Sequence, residues 1–209
     1  MALRFDSGPN RDVNPIEQPV NNVSEIKSDS DFNQKEVYDA MMKDLSGTQK
    51  QTPQTLDDFM NRIAYHESAG TMDPTLHQYG GGTGRGLFQF ETGAGQGGAT
   101  AMTRLRNYLQ RRGQSIPEWA NFDESQGVDA SKLSPEQQRM LFMANLREHK
   151  HANLRGVTPS TLGTEYWAPY HWAGPGHQRD ERLRSWDESM AAYDLKNKPT
   201  AEEEAFGSY

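Results

Sequence analysis

The chain contains no cysteine. This excludes a disulfide framework, a thiolate metal site and a cysteine nucleophile. Apolar residues are also scarce, at 33% of 209 positions, so we expect one modest core and a length of chain outside it. No run approaches the roughly 18 consecutive apolar residues of a membrane span. The sequence therefore predicts no transmembrane segment.

Basic residues are also outnumbered by acidic ones, 22 Lys and Arg against 29 Asp and Glu, so the formal net charge is −7. Proteins that bind nucleic acid usually carry a basic domain or stripe. The basic cluster from Arg104 to Arg112 flanks an apolar helical pattern, which indicates a solvated helix face, and we expect no general nucleic-acid binding. The first residues lack an apolar core of signal-peptide length. A chain of this kind acting outside the cytoplasm would then need another route of delivery.

Composition divides the chain into three segments. Residues 1 to about 30 are rich in Asn, Asp, Ser and Pro and lack apolar periodicity, which is typical of an extended arm. Apolar residues from Phe32 to Leu45 recur at helical spacing and predict a short amphipathic helix, which either packs on the domain or docks to a partner. The predicted boundaries are an N-terminal arm over 1–54, a main domain over 55–196 and an acidic tail over 197–209.

The main domain is predicted to be mainly α. Thr55 is the expected N-cap of its first helix, and Gly70 the expected stop. Strand signals are sparse, so we expect at most a small hairpin near the glycine-rich segment 80–98. The remaining helices are predicted over about 99–112, from the capping box at Ser134, over about 160–167, and through Leu183, Trp186, Met190 and Tyr193.

Glu67 is the most informative residue. The apolar stripe of the first domain helix runs into this carboxyl group just before a helix stop and a glycine-rich loop. Partial desolvation of a carboxyl group disfavours the anion and raises its pKa, which a general acid for glycoside cleavage requires. Helix spacing alone also allows a solvated glutamate at a frayed helix end.

Three sequence blocks, in this order, support the interpretation of Glu67 as a catalytic acid. They are Tyr65–Gly70, with the sequence YHESAG; Gly84–Phe90, with GRGLFQF; and Tyr170–Gly176, with YHWAGPG. Together they resemble the signature of the soluble lytic transglycosylase family, which has the lysozyme-like fold. They are most similar to the virion-associated transglycosylases of tailed bacteriophages. The resemblance covers about residues 56–186 and implies a lysozyme-like α+β domain with a minimal sheet.

The resemblance also implies roles for individual residues. Glu67 would be the single catalytic acid/base, with Ser68 hydrogen-bonded near it. Gln89 would contact the sugar at the point of cleavage. Either Tyr170 or His171 would be the partner of Glu67, depending on one residue of slippage, and we favour Tyr170.

Aromatic residues are further candidates for sugar contacts, since pyranose faces stack on rings. Trp172 is expected to line the substrate cleft, whereas Trp167 is expected to be buried in the core. Tyr79, beside the glycine-rich segment, also suits sugar stacking. Phe88 stands where the family usually has Met, an apolar replacement that should be tolerated.

The implied activity is peptidoglycan lytic transglycosylation at MurNAc-GlcNAc β-1,4 bonds. In that family a hydroxyl of the sugar attacks and leaves a 1,6-anhydro end, so no second carboxylate is needed. Glu91 and Asp73 are the candidates for one, and participation of Glu91 would make the enzyme a hydrolysing muramidase. No cofactor is implied, and the histidine spacings match no zinc site, so we predict no metal.

The resemblance also implies a setting. The protein would be a virion component that acts in the host periplasm and cell wall during genome ejection. Its glycan-strand substrate would bind the domain, and tail or internal-core proteins would bind the N-terminal arm. The alternatives are a structural virion or ejection protein with an inactive lysozyme-like domain, and a glycan-binding module that does not cut.

Overall fold

The computed structural model describes residues 32–49, 53–123, 125–148, 162 and 179–198. This part of the chain is mainly helical with one two-stranded antiparallel sheet, as the sequence predicts. The helices are α1 (Gln34–Gln49), α2 (Pro53–Glu67), α3 (Gly97–Arg111), α4 (Pro135–Glu148) and α5 (Arg179–Lys196), and the strands are β1 (Gly84–Arg85) and β2 (Phe90–Glu91).

Helix α1 contributes to the core of the described residues. Asn33 caps the helix by accepting a 3.1 Å hydrogen bond from the Glu36 N–H. The buried face of α1 packs on α2 and α4 and joins the single hydrophobic cluster of the described residues. Of the two roles that the sequence allows α1, packing on the domain is the one observed. Residues 1–31 of the predicted arm lie outside the described residues.

Helix α2 begins earlier than the sequence predicts. It starts at Pro53, so the expected N-cap at Thr55 is wrong. Proline is tolerated at the first helical position because its missing N–H has no partner inside the helix there. Its buried apolar stripe comprises Leu56, Phe59, Met60, Ile63 and Ala64.

Helices α3 and α4 form the most extensive helix pair. The capping box that opens α4 is confirmed, because Gln137 N–H donates to Ser134 Oγ at 3.2 Å and Ser134 N–H donates to Gln137 Oε1 at 2.8 Å. The basic face expected on α3 is only partly solvated. Arg104 donates a hydrogen bond to Asn145 of α4, and Arg112 pairs with Asp44 of α1 at 2.9 Å.

Helix α5 packs on α2, and its Trp186, Met190 and Tyr193 are buried. Arg62 of α2 pairs with Asp194 at 2.7 Å. Of the helix predicted over 160–167, only Leu162 is described, and it is helical and buried. The tail from residue 199 lies outside the described residues. Within the described ranges no helix has both the length and the apolarity to cross a bilayer.

Candidate active site

Glu67 is the last residue of α2 and is partly buried. The helix ends in two left-handed residues, Ala69 at φ +50° and Gly70 at φ +77°. Gly70 N–H donates to Tyr65 O at 2.7 Å and Ala69 N–H donates to His66 O at 3.1 Å. This pair of hydrogen bonds is the Schellman pattern, and it places the Glu67 carboxyl at a defined helix terminus.

Ser68 follows Glu67 and has no exposed surface. Its Oγ accepts a 2.9 Å hydrogen bond from the Met72 N–H, and its carbonyl accepts bonds from the Thr71 N–H and hydroxyl at 3.1 and 2.8 Å. The side chain therefore holds the turn that follows α2. Since it is fully covered in the structure, it suits a positioning role rather than direct contact with a sugar.

The hairpin turn Gly86–Gln89 carries the second candidate side chain, Gln89. Gly86 has φ +74° and Gln89 has φ +47°, so both lie in the left-handed region. Gln89 Nε2 donates to Gly86 O at 2.7 Å across the turn. The turn joins β1 to β2, which pair with Gly84 opposite Glu91 and Arg85 opposite Phe90.

A cleft of about 350 Å³ brings Glu67, Gln89 and Glu91 together between the end of α2, the hairpin and α4. Its wall combines polar side chains with the apolar side chains of Ile63, Phe88, Phe90 and Phe142. The cleft is lined by Ile63, Glu67, Gln78, Gly84, Phe88, Gln89, Phe90, Glu91, Gly97, Phe142 and Asn145.

Two polar residues of this cleft, Gln78 and Asn145, are absent from the sequence prediction. Gln78 Oε1 accepts a 3.2 Å bond from the Gly84 N–H. Asn145 is buried and lies in a run of buried residues from Met140 to Leu146. A lone amide in an otherwise buried apolar run was the available signal for Asn145, because such a group needs hydrogen-bond partners. The sequence holds no comparable signal for Gln78.

His66 attaches the end of α2 to α5. Its Nδ1 lies 3.0 Å from Ser189 Oγ, and its ring lies 4.9 Å from the ring of Trp186. Burial lowers the pKa of His66 to about 4, so the imidazole is neutral at pH 7. The residue preceding Glu67 is thereby fixed by packing and by a neutral hydrogen bond.

The other acid considered as a second carboxylate, Asp73, does not line the cleft. It accepts bonds from the Thr75 N–H and hydroxyl at 2.8 and 2.7 Å, and these bonds lower its pKa. Glu91 is exposed and lines the cleft. The geometry thus separates the two candidates.

Of the aromatic candidates for sugar contacts, Tyr79 lies within the described residues. Tyr79 is fully exposed, on a 3-10 turn (Tyr79–Gly81) that follows the cleft residue Gln78. Tyr170, His171 and Trp172 lie outside the described residues, as does Trp167. Within the described ranges, no group of three or more His, Asp or Glu side chains could hold a metal ion.

Comparison with known proteins found no match, whether against protein-family models, curated proteins or solved structures.

Proposed function

We propose that the chain is a peptidoglycan lytic transglycosylase that cleaves MurNAc-GlcNAc β-1,4 bonds with Glu67 as its single catalytic acid/base. The observation that carries this proposal is the shared cleft in which Glu67 ends a buried helix and faces a space that Gln89 also lines. The sequence resemblance assigns these two side chains to the same reaction centre, and the cleft supports that assignment.

In this mechanism Glu67 protonates the glycosidic oxygen as the bond opens to an oxocarbenium-like state. It then accepts a proton from the sugar hydroxyl that attacks the anomeric carbon, which leaves a 1,6-anhydro end. A general acid must hold its proton near the working pH. The apolar side chains of Ile63, Phe88 and Phe142 line the same cleft as Glu67.

Gln89 would bind the sugar at the cleavage point. Its amide Nε2 already donates to Gly86 O, so the side chain is held in one direction before substrate arrives. A side chain that is held in advance loses less conformational entropy when it binds a ligand. Ser68 would act indirectly, by fixing the turn that carries Glu67.

The test is digestion of purified peptidoglycan by the full chain, with the products identified by mass spectrometry. Glu67→Gln should lower the rate by about 10²–10⁴-fold, while Glu188→Gln, an exposed acid of α5, should leave it unchanged. Anhydro-muropeptides from the wild type would support the proposal. An active Glu67→Gln variant would overturn the assignment, and a wild type without products would favour a scaffold or binding role.

A hydrolysing muramidase is the second candidate, and one observation favours it. Glu91 lines the same cleft as Glu67, as the second carboxylate of a two-carboxylate glycosidase must. Reducing ends in place of anhydro ends, together with loss of activity in Glu91→Gln, would identify this enzyme. Full activity of Glu91→Gln would exclude a catalytic role for that acid.

We also propose that the enzyme is a component of a phage virion and opens the host cell wall during genome ejection, with residues 1–31 as the attachment segment. This setting depends on the resemblance to phage transglycosylases described above. Deleting residues 1–31 should abolish incorporation into particles and leave the digestion rate unchanged. Normal incorporation of the shortened chain would refute the attachment role.

A further inference from the structure

A second groove also borders the β1–β2 hairpin. Its volume is about 580 Å³. Gly84, Phe90 and Glu91 of the hairpin line the cleft. Arg85 and the two residues that follow β2, Thr92 and Gly93, line the groove.

The groove has an apolar floor and a cationic rim. Met102 and Val128 are buried at its base, and Trp119 and Phe122 are partly exposed along it. Arg85 and Lys132 contribute the positive charge. We call this site the Trp119 groove.

Arg85 has capacity for an anionic ligand. Its Nη1 donates to the carbonyl oxygens of Gly82 and Gly84, both at 2.7 Å, so the guanidinium is fixed to the hairpin. Among the described residues no carboxylate pairs with Arg85. A guanidinium presents five N–H donors, so the remaining donors can bind a carboxylate of a ligand.

Asp129, the acidic residue in the groove lining, already has partners within the chain. Asp129 accepts bonds from the Ser131 N–H at 3.1 Å and from its hydroxyl at 2.6 Å, and lies 3.7 Å from Lys132. Lys132 is exposed, with 80% of its side chain accessible, so a stronger anionic partner can displace this loose pair.

We propose that the Trp119 groove binds the acidic stem peptide of peptidoglycan while the glycan strand occupies the Glu67 cleft. This inference rests on the proposed function. Charge favours a peptide over more sugar, because neutral sugar rings carry no negative charge to pair with the two cations whereas stem peptides carry carboxylates.

The test measures binding by calorimetry to the full chain carrying Glu67→Gln, so that no cleavage occurs. The probe is the synthetic peptide L-Ala-γ-D-Glu-meso-diaminopimelyl-D-Ala, compared with the same peptide after amidation of its carboxylates and with a chitooligosaccharide. Loss of a charged hydrogen-bond partner should weaken binding about tenfold. We expect this loss for Lys132→Gln, for Arg85→Gln and for the amidated peptide.

A control variant tests whether the effect is specific to the cations of the groove. Arg182→Gln, an exposed cation on α5 outside the groove, should bind the peptide as the parent does. Arg85→Gln also removes bonds within the hairpin, so Lys132→Gln is the decisive variant because its exposed side chain contributes little to folding. Equal binding of the native and amidated peptides, or weakened binding of the chitooligosaccharide alone, would overturn the proposal.

Digestion separates this inference from the proposed function. The wild type should cleave intact peptidoglycan faster than glycan strands stripped of their peptides, and Lys132→Gln should reduce this preference about tenfold. If Glu67→Gln abolishes cleavage but no preference exists, the groove proposal fails and the enzymatic proposal stands. If the peptide binds as expected while Glu67→Gln still cleaves, the enzymatic assignment fails and the groove remains a peptide site.

Discussion

Gln138 Oε1 accepts a 2.7 Å hydrogen bond from the Leu87 backbone N–H, although 51 residues separate the two in sequence. The Gln138 side chain is fully buried, and its Nε2 donates to Pro74 O at 2.8 Å and to Leu133 O at 2.9 Å. One amide on α4 thereby joins three loops around the hairpin turn. The position of Gln89 in the cleft depends on this buried connection.

Replacing Gln138 should destabilise the protein. Gln138→Leu keeps the approximate volume of the side chain but leaves buried partners of the amide without hydrogen bonds, at a cost of about 3 kcal/mol. This corresponds to a fall in Tm of roughly 6–12 °C for a chain of this size. Calorimetry would measure it, with Gln110→Leu on the exposed face of α3 as the control. Equal Tm values for the two variants would contradict a structural role for Gln138.

Gly86 is required for both its backbone conformation and its lack of a side chain. Its φ is +74°, and a Cβ there would clash with Gln138 Oε1. Gly113 is a matched control, since its φ is +64° but a Cβ there would meet nothing within 4 Å. We expect Gly113→Ala to lower the free energy of unfolding by about 1 kcal/mol, from backbone strain alone. Gly86→Ala should lower it by about 2 kcal/mol more, because of the added clash. Denaturant unfolding would test this order, and similar costs would contradict it.

His66 should make stability depend on pH between about 6.5 and 4. The unfolded chain binds a proton near pH 6.5, whereas burial in the folded chain lowers the His66 pKa to about 4. Stability attributable to this residue is therefore present above pH 6.5 and is lost as the pH falls towards 4. The total loss is about 2–3 kcal/mol.

The measurement is denaturant unfolding at several pH values for the wild type and His66→Gln. The variant keeps a polar group near Ser189 but does not titrate, so the difference between the two curves isolates the histidine. Between pH 6.5 and 4, we expect the free energy of unfolding of the wild type to fall more steeply with decreasing pH than that of the variant. The difference in slope should correspond to the uptake of about one proton on unfolding. Parallel curves over this interval would show that His66 is not the responsible group.

Helix α1 should be needed for folding. Residues 53–209 alone would expose the faces of α2 and α4 that α1 covers, and each buried side chain lost from α1 is worth about 1.5–3 kcal/mol. Circular dichroism should show a cooperative transition for residues 32–209 but not for residues 53–209. A single substitution tests the same contribution without removing the helix. Met41→Ala should lower the free energy of unfolding by about 2–5 kcal/mol, whereas Lys43→Ala, at an exposed position, should leave it almost unchanged. Cooperative unfolding of residues 53–209 would show that α1 is not needed for folding and would support a domain boundary at residue 54.

Local patterns in the sequence were sufficient to predict most helices and the end of α2. The Ser134 capping box and the Gly70 stop are formed between residues a few positions apart, so their chemistry is visible in the sequence itself. Helical spacing likewise predicted the helix that carries Trp186 and Tyr193. The start of α2 was missed because Pro53 can begin a helix without a side-chain cap, which removes the signal that Thr55 offered.

The sequence by itself determined that a carboxyl group ends an amphipathic helix at Glu67 and that a glycine-rich hairpin follows, because helical period and turn chemistry are local properties. Only the tertiary structure decided that Glu67, Gln89 and Glu91 line one cleft, that Asp73 does not, and that α1 belongs to the core. These relations depend on which helix faces pack together and on single buried contacts such as Gln138 with Leu87. Such contacts join residues far apart in sequence, and no local pattern records them.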